Sequence, residues 1–599
     1  MILHELKKYF DKRNSVTSGE FSQEGFEKKE IPFLIVIDHD GNFINLQDTR
    51  KPVKIPLGID KKTNTPKEKT VWEANAYSLP RPIPRSGSRS YETTFLLWDH
   101  VGYVLKHPET DEKSPKQHKT WLDSLHSLPD TLKKDQGVAA IIKFYERDGI
   151  DEVKKHANWK DCEKIKACNI TFMLVDDLVP VPCRDAIKNH LQEQSEATEA
   201  NEEEKRVCLV TGNKDSISRI SPPVIFGGNG ARLVSFQKNS GYDSYGKEQG
   251  DNAPIGNKAV IAYTSALKSL LESEQKVSIN TTTFLFWAET PDEYEGYIVD
   301  VFKDDPDKRT KAVRALLDSP KSGAYVENTS KKRFFILGIS PNKARIAVKL
   351  WINSTVGDFA ENIRQHFQDT EIVRNPDFSE TLSVLRLMSA SATLEEKENI
   401  PPNLSSELMK SIITGAKYPD TLFLAAIRRS KIKAKYPINS YVRAAVIKAC
   451  LNRKFRLCDG GKKQEQFPQF KELTVSLDKE NPNPGYRLGR LFAVLEKIQE
   501  TALPGLNATI RDRFYAAASG TPASVFSNLM RLKNHHLSKM EHLGQRVNFE
   551  KMLGEIISGI EKEFPSHLSL HDQGCFAIGY YHQRQDFFTK KKGDAATET

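Results

Sequence analysis

The sequence predicts an α+β fold, with a large mixed α/β N-terminal portion followed by an all-helical C-terminal bundle. Three observations carry the prediction. Short apolar runs of strand length, bounded by turn residues, recur through the first 357 residues. Apolar residues at helical spacing take over from about residue 358, and an Asn-Pro-Asn-Pro-Gly segment at 481–485 interrupts them as a linker signal. The expected divisions are an α+β portion at 1–357, a helical portion with a basic block at 358–480, and a C-terminal helical bundle at 481–599. Of the 599 residues, 38% are hydrophobic and 28% charged, enough apolar material for several cores and too much for a disordered chain.

The elements follow in order. Residues 1–10 alternate apolar and charged side chains as an amphipathic helix, without the basic and apolar blocks of a signal peptide. With no apolar run near the roughly 18 residues that a membrane span needs, a cytoplasmic protein without membrane contact is expected. Residues 31–37 form a buried strand, 38–42 a turn and 43–46 the return strand. Further strands are expected at 95–98, 171–175, 281–287, 333–339 and 345–352, the last half-buried by its alternation. Helices are expected at 120–127, 137–146 and 258–271, with a polar loop or helix-loop at 192–206 and a Gly-, Asn- and Ser-rich loop region at 222–257. Eight helical stretches follow: 359–367, 404–415, 421–430, 440–452, 485–501, 510–518, 523–543 and 548–564.

Motifs for chemistry are absent or incomplete. Gly241 to Lys247 matches G-x-x-x-x-G-K, but Glu248 stands where a P-loop needs Ser or Thr to hold magnesium. Asp38-His39-Asp40, His571-Asp572 and His535-His536 lack the further convergent ligands of a metal site. The seven cysteines are scattered without a C-x-x-C pair, so buried reduced thiols are expected. No catalytic residue, metal or cofactor is predicted.

Nucleic-acid contacts are better represented. The loop with Gly227, Gly228, Asn229 and Arg232 has little side-chain bulk and lets backbone approach a phosphate or groove. Lys247, Gln249 and Asn252 place base-edge donors and acceptors between glycines. Arg81, Arg85 and Arg89 stud a proline-stiffened loop. From Ile427 to Leu457 there is no acidic residue among Arg428, Arg429, Lys431, Lys433, Lys435 and the basic residues that follow. Such a block is expected to face solvent or a polyanion, and the first five residues are candidates for holding a DNA strand.

Several strings taken together resemble the large subunit of the type I-C CRISPR Cascade effector complex. They include Phe95-Leu96-Leu97-Trp98-Asp99, Tyr245-Gly246-Lys247-Glu248-Gln249-Gly250, Tyr486-Arg487-Leu488-Gly489-Arg490 and Gly579-Tyr580-Tyr581-His582-Gln583-Arg584. The resemblance runs in order through nearly the whole chain. It implies a non-catalytic subunit of a CRISPR RNA-containing complex that reads the protospacer-adjacent motif (PAM) in target double-stranded DNA and promotes strand opening and R-loop formation. The implied partners are the Cascade backbone and guide-processing subunits, a small subunit similar to the C-terminal bundle, and a helicase–nuclease. The alternatives are a metal-dependent nuclease acting on the nucleic acid it binds, and a structural RNA-binding protein.

Overall fold

The computed structural model describes residues 1–16, 25–59, 66–83, 85, 89–200, 205–237, 241, 245–289, 299–302, 331–458, 471–560 and 563–588. The fold is α+β, with mixed sheets in the N-terminal part and helices in the C-terminal part. The chain forms two compact units, 1–269 with 343–345, and 270–342 with 346–599.

In the first unit, Phe33–Ile37 pairs antiparallel with Phe43–Asp48 and parallel with Asn169–Leu174, which Trp98–His100 then flanks antiparallel. All five residues of Phe33–Ile37 are buried, as a central strand covered on both faces requires. Residues between the parallel strands supply helices, among them Ser114–His126 and Gln136–Glu146, whose Trp121, Val138, Ile141 and Phe144 complete the core. The predicted strand at 95–98 begins only at Trp98, because Leu97 takes a left-handed φ of 61°. A hairpin of Lys51–Ile59 with Pro66–Glu73 and an opening helix, Ile2–Val16, are also present. The polar segment at 192–206 lies partly in the helix Asp185–Ala200 and partly outside the described residues.

In the second unit, Lys276–Ile279, Thr282–Ala288, Arg333–Asn342 and Arg345–Thr355 form a four-stranded sheet in chain order. Phe284, Phe286, Phe334 and Ile336 share one core with helical residues such as Phe359, Leu408, Ile412 and Val442. That core reaches Tyr486, Ile578 and Tyr581 near the end of the chain. A second core joins the helices Pro484–Ala502, Ile510–Ala518, Pro522–Ser538 and Leu543–Ser558 with Leu570–Asp586.

The helix Leu570–Asp586 packs along Pro484–Ala502 with almost no space between backbones. A Cβ on Gly489 would run into the Phe576 carbonyl oxygen, and one on Gly579 into the Tyr486 carbonyl oxygen. Around these glycines, the Tyr486 hydroxyl meets His582 Nδ1 at 2.8 Å, and Arg490 Nε donates to Gln583 Oε1 at 3.1 Å. The Tyr580 hydroxyl donates to Glu496 at 2.5 Å. The Asn-Pro-Asn-Pro-Gly segment begins this seam. Asn483 caps the first helix by accepting from Tyr486 N at 3.1 Å and ties it to Asp572 at 2.9 Å, with Asn481 and Asn483 1% and 2% exposed. The segment is a buried cap and not a free tether, because both amide side chains have found interior partners.

Two predictions follow from this packing. Gly489→Ala should lower the stability of the second unit by about 1–3 kcal/mol, because the opposing atoms are backbone and cannot turn aside. Gly554→Ala, where an added Cβ meets nothing within 4 Å, should raise it by about 0.5–1 kcal/mol. Urea denaturation of the two variants checks both signs. Burial also pushes the pKa of His366 and of His582 from the ordinary 6.5 down to about 3. The folded chain therefore stays neutral at these rings while the unfolded chain takes up protons below pH 6.5. Stability should fall by about 4 kcal/mol for the pair between pH 7.5 and pH 5. His366→Gln should flatten that slope in urea melts across the same range.

Candidate nucleic-acid interface

The glycine loop is the tip of a tight hairpin. Val224–Phe226 pairs antiparallel with Asn229–Ala231, and Gly227 and Gly228 alone connect them, with φ of 63° and 80°. Positive φ at both central residues gives the mirror-image turn that matches strand twist, and glycine adopts it without a Cβ clash. The tip is open: a Cβ on Gly228 would meet nothing within 4 Å, and Asn229 and Ile225 are exposed. Arg232 follows directly. Its backbone N–H donates to Ala344 at 3.0 Å and its Nε to the Ser221 carbonyl at 2.7 Å, which fixes the guanidinium half-buried. Burial lowers its pKa, yet a guanidinium remains charged at any neutral pH.

The second predicted segment comes to the same place. Gly250 presses against the Ser218 and Arg219 carbonyls, where a Cβ would not fit, and its N–H donates to Arg219 O at 3.1 Å. The Asn252 side chain donates to the Lys247 and Gln249 carbonyls at 3.4 and 3.1 Å, so its amide holds the turn in shape. Tyr245 and Gln249 take left-handed φ of 54° and 44°, on either side of Gly246 at 69°. Tyr245 is 98% exposed, and Lys247 is exposed beside it. Residues 242–244 of the P-loop-like string lie outside the described residues.

Together the hairpin base and this turn wall a cavity of about 260 Å³. Arg219, Arg232, Arg345, Gln249, Gln237 and Phe236 are among its lining residues, and among the described residues no carboxylate lines it. Three guanidinium groups, amide side chains and an aromatic ring suit the edge of a base or a phosphate. Arginine pairs in bidentate fashion with guanine O6/N7, and glutamine with adenine N6/N7. Two of these arginines carried no signal in the sequence. Arg219 sits in a Ser- and Ile-rich run, and Arg345 is more than a hundred positions from Arg232 and arrives through tertiary contact. Tyr245 stood inside the quoted Tyr-Gly-Lys-Glu-Gln-Gly string but was not among the residues put forward.

The other candidates are distributed differently. Arg81 lines a separate cleft of the first unit. Arg85 is held inside the fold: it pairs with the fully buried Asp99 and lies 3.7 Å and 4.2 Å from the Phe95 and Tyr103 ring centres. Arg89 is an exposed side chain, with Glu92 at 3.9 Å. Pro84 and residues 86–88 of that loop lie outside the described residues. Of the incomplete metal motifs, Asp38, Asp40 and Asp572 have protein partners. Asp38 accepts from Asp40 N and Asn42 N within its own turn, Asp40 pairs with Lys143, and Asp572 bonds Ser569 and Asn483. Among the described residues no group of three or more His, Cys, Asp and Glu side chains could hold a metal ion.

The basic block does not face solvent as a whole, which corrects the expectation that it must. In the helix Pro437–Leu457, Arg443, Lys448 and Arg453 are each 2% exposed. Their neutralisation comes from distant segments. Arg443 pairs with Glu395, Arg453 donates to Asp369 at 2.8 Å, and Lys448 donates to the Gln368 and Asp369 carbonyls at 3.3 and 3.2 Å. Local absence of acid therefore did not mean absence of partners. Of the five residues put forward, Arg428, Lys433 and Lys435 are exposed, Arg429 is half-buried, and Lys431 donates to Gln573 at 2.9 Å.

A family model described as CRISPR-associated protein (Cas_Csd1) matches residues 6–588. No curated protein matches the chain.

The sorting of the basic block has a measurable consequence. Arg453→Met should destabilise the second unit by up to about 3 kcal/mol, because it removes one of the two arginine partners of the buried Asp369 carboxylate and leaves only Arg456. Arg428→Ala, Lys433→Ala and Lys435→Ala should each shift stability by no more than about 0.5 kcal/mol. If these three hold a nucleic-acid backbone, each should lower the slope of log affinity against log salt by roughly 0.7–0.9. Thermal melts and salt-titrated binding separate the two classes.

Proposed function

The chain belongs to the CRISPR-associated protein (Cas_Csd1) family and hence to a CRISPR effector complex, and from that premise we propose that it is the DNA-reading large subunit of a type I-C Cascade. On this reading it recognises the protospacer-adjacent motif in duplex DNA, promotes strand opening and R-loop formation, and helps recruit the helicase–nuclease. It works beside the backbone, guide-processing and small subunits and leaves sequence discrimination along the target to guide pairing.

The observation that carries the proposal is the carboxylate-free cavity between the glycine-tipped hairpin and the Lys247–Asn252 turn. A reader of a short motif needs a few directional donors held still and a slender element that can follow a groove. Arg219, Arg232 and Gln249 are the donors, and the hairpin with its bare tip is the slender element. Arg428, Lys433 and Lys435 suit a displaced strand, since exposed cations contact phosphates without regard to sequence. A non-catalytic role is part of the proposal: with magnesium or manganese, plain duplex DNA should remain uncut.

In the assembled, guide-loaded complex, Gln249→Ala and Arg219→Ala should each weaken binding to motif-bearing duplex by about 5- to 150-fold, the equivalent of one lost base contact. Binding to a duplex with a mutated motif should hardly change. Full affinity and full motif discrimination in both variants would place motif reading elsewhere.

A further inference from the structure

A cleft of the first unit, about 450 Å³, lies apart from the motif-reading cavity and has no assigned role. Its walls come mainly from the opening helix Ile2–Val16, the stretch around the short strand Lys214–Asp215 and the start of the helix Asn257–Glu272, with Arg81 and Lys205 added from elsewhere. Among the described residues five cations line it, Lys7, Arg81, Lys205, Lys214 and Lys258, and two carboxylates. Both carboxylates have partners within the cleft wall. Asp11 pairs with Lys7 at 2.5 Å across one helical turn, and Asp215 accepts from Lys258 N at 3.3 Å and abuts Gly256. The balance is therefore positive.

We propose that this cleft binds a run of nucleic-acid phosphates and anchors the strand whose bases are read in the neighbouring cavity. Four of the five cations are lysines, which act on phosphate as point charges and make no demand on base identity. Neutral donors such as Asn213 add hydrogen-bonding capacity, and Phe10, Ile261 and Ala262 are the apolar minority of a mainly polar lining. The chain also runs directly from one site to the other. Residues 211–216 line the cleft and residues 218–221 line the cavity, while Val260 faces the cavity between Lys258 and Ile261 of the cleft. A strand gripped at the cleft is thereby delivered to the arginines. Arg81, singled out in the sequence as part of an arginine-studded loop, acts here.

The inference rests on the reading that this unit meets nucleic acid, and the test keeps the two apart. Lys214→Glu with Lys258→Glu, in the assembled guide-loaded complex, should weaken duplex binding about 10- to 100-fold at 0.1 M salt and reduce the salt slope by about 2. The loss should be equal for motif-bearing and mutated-motif duplexes, and Lys214→Arg with Lys258→Arg should restore the slope. If the phosphates belong to the guide RNA, the same reversal releases labelled guide during a salt wash, and the arginine pair retains it. Circular dichroism melts confirm folding. Should the double reversal disturb it, Lys214→Ala at an exposed position carries the test with a slope change of about 0.9. An unchanged salt slope together with unchanged guide retention in a folded variant overturns the proposal, even where Gln249→Ala still abolishes motif discrimination. A lost slope with Gln249→Ala silent supports the cleft and removes the motif-reading cavity alone.

Discussion

A positive charge taken out of water must find its partner inside, and that requirement decides which basic residues of this chain are available to a ligand. Arg85, Arg443, Lys448, Arg453 and Arg490 satisfy it with carboxylates, carbonyls and amides drawn from distant parts of the sequence. Each links segments that no local interaction would bring together: Arg443 ties its helix to Glu395 and to the Ala390 carbonyl at 2.9 Å. Arg453 gathers Asp369, the carbonyls of Ser411 and Ala416, and the Tyr418 ring. Such groups specify the packing more than they stabilise it, since truncating one strands its partner whereas an apolar replacement of both is often tolerated. What remains outside, a few lysines and arginines on each unit, is the charge left for a polyanion under the proposed function.

The glycine seam poses the same kind of demand in steric form. Gly485, Gly489 and Gly579 let Pro484–Ala502 and Leu570–Asp586 approach until backbone meets backbone. Only at that separation do Tyr486 and His582, or Arg490 and Gln583, reach each other. The last helix then serves two cores at once, with Phe576 and Tyr580 in one and Ile578 and Tyr581 in the other. The strings at 486–490 and 579–584 that mark the family resemblance thus take part in this packing.

Elements whose environment is two-sided were legible in the sequence. The strands near 33–37, 43–48, 282–288 and 333–342 stand where apolar runs of strand length placed them, and most helices after residue 356 where helical spacing did. Leu570–Asp586 was not legible, because a helix buried nearly all round has no polar face, and its His, Gln and Tyr residues look like surface positions until their partners are known. The hairpin Lys51–Ile59 with Pro66–Glu73 was hidden by prolines and lysines that lower strand propensity. Prolines and asparagines at 481–485 read as a tether because capping and tethering use the same residues. In the candidate site, Gly227, Gly228, Arg232 and Gln249 were legible as unusual local chemistry. Arg219 and Arg345 were not, since only the tertiary fold brings them to one cavity.

Within the first unit the two basic sites differ in a way that follows from side-chain chemistry. The cavity is lined by arginines and two glutamines, side chains whose planar forks are suited to discriminating between base edges. The cleft is lined mainly by lysines, whose flexible point charges supply affinity without discrimination. Directional donors are useful only if they are held still, and the turn that presents Gln249 is held at several points. Gly250 is locked against two carbonyls, Asn252 bridges two more, and Tyr245 and Gln249 keep left-handed backbone angles that bulky residues seldom adopt. Strain of that kind costs on the order of 1–3 kcal/mol per residue and persists only where the surroundings impose it. A chain that needed the segment only as a connection would relax it. Retaining it beside an arginine cavity makes sense if a pre-set turn lowers the cost of ordering when a base edge arrives.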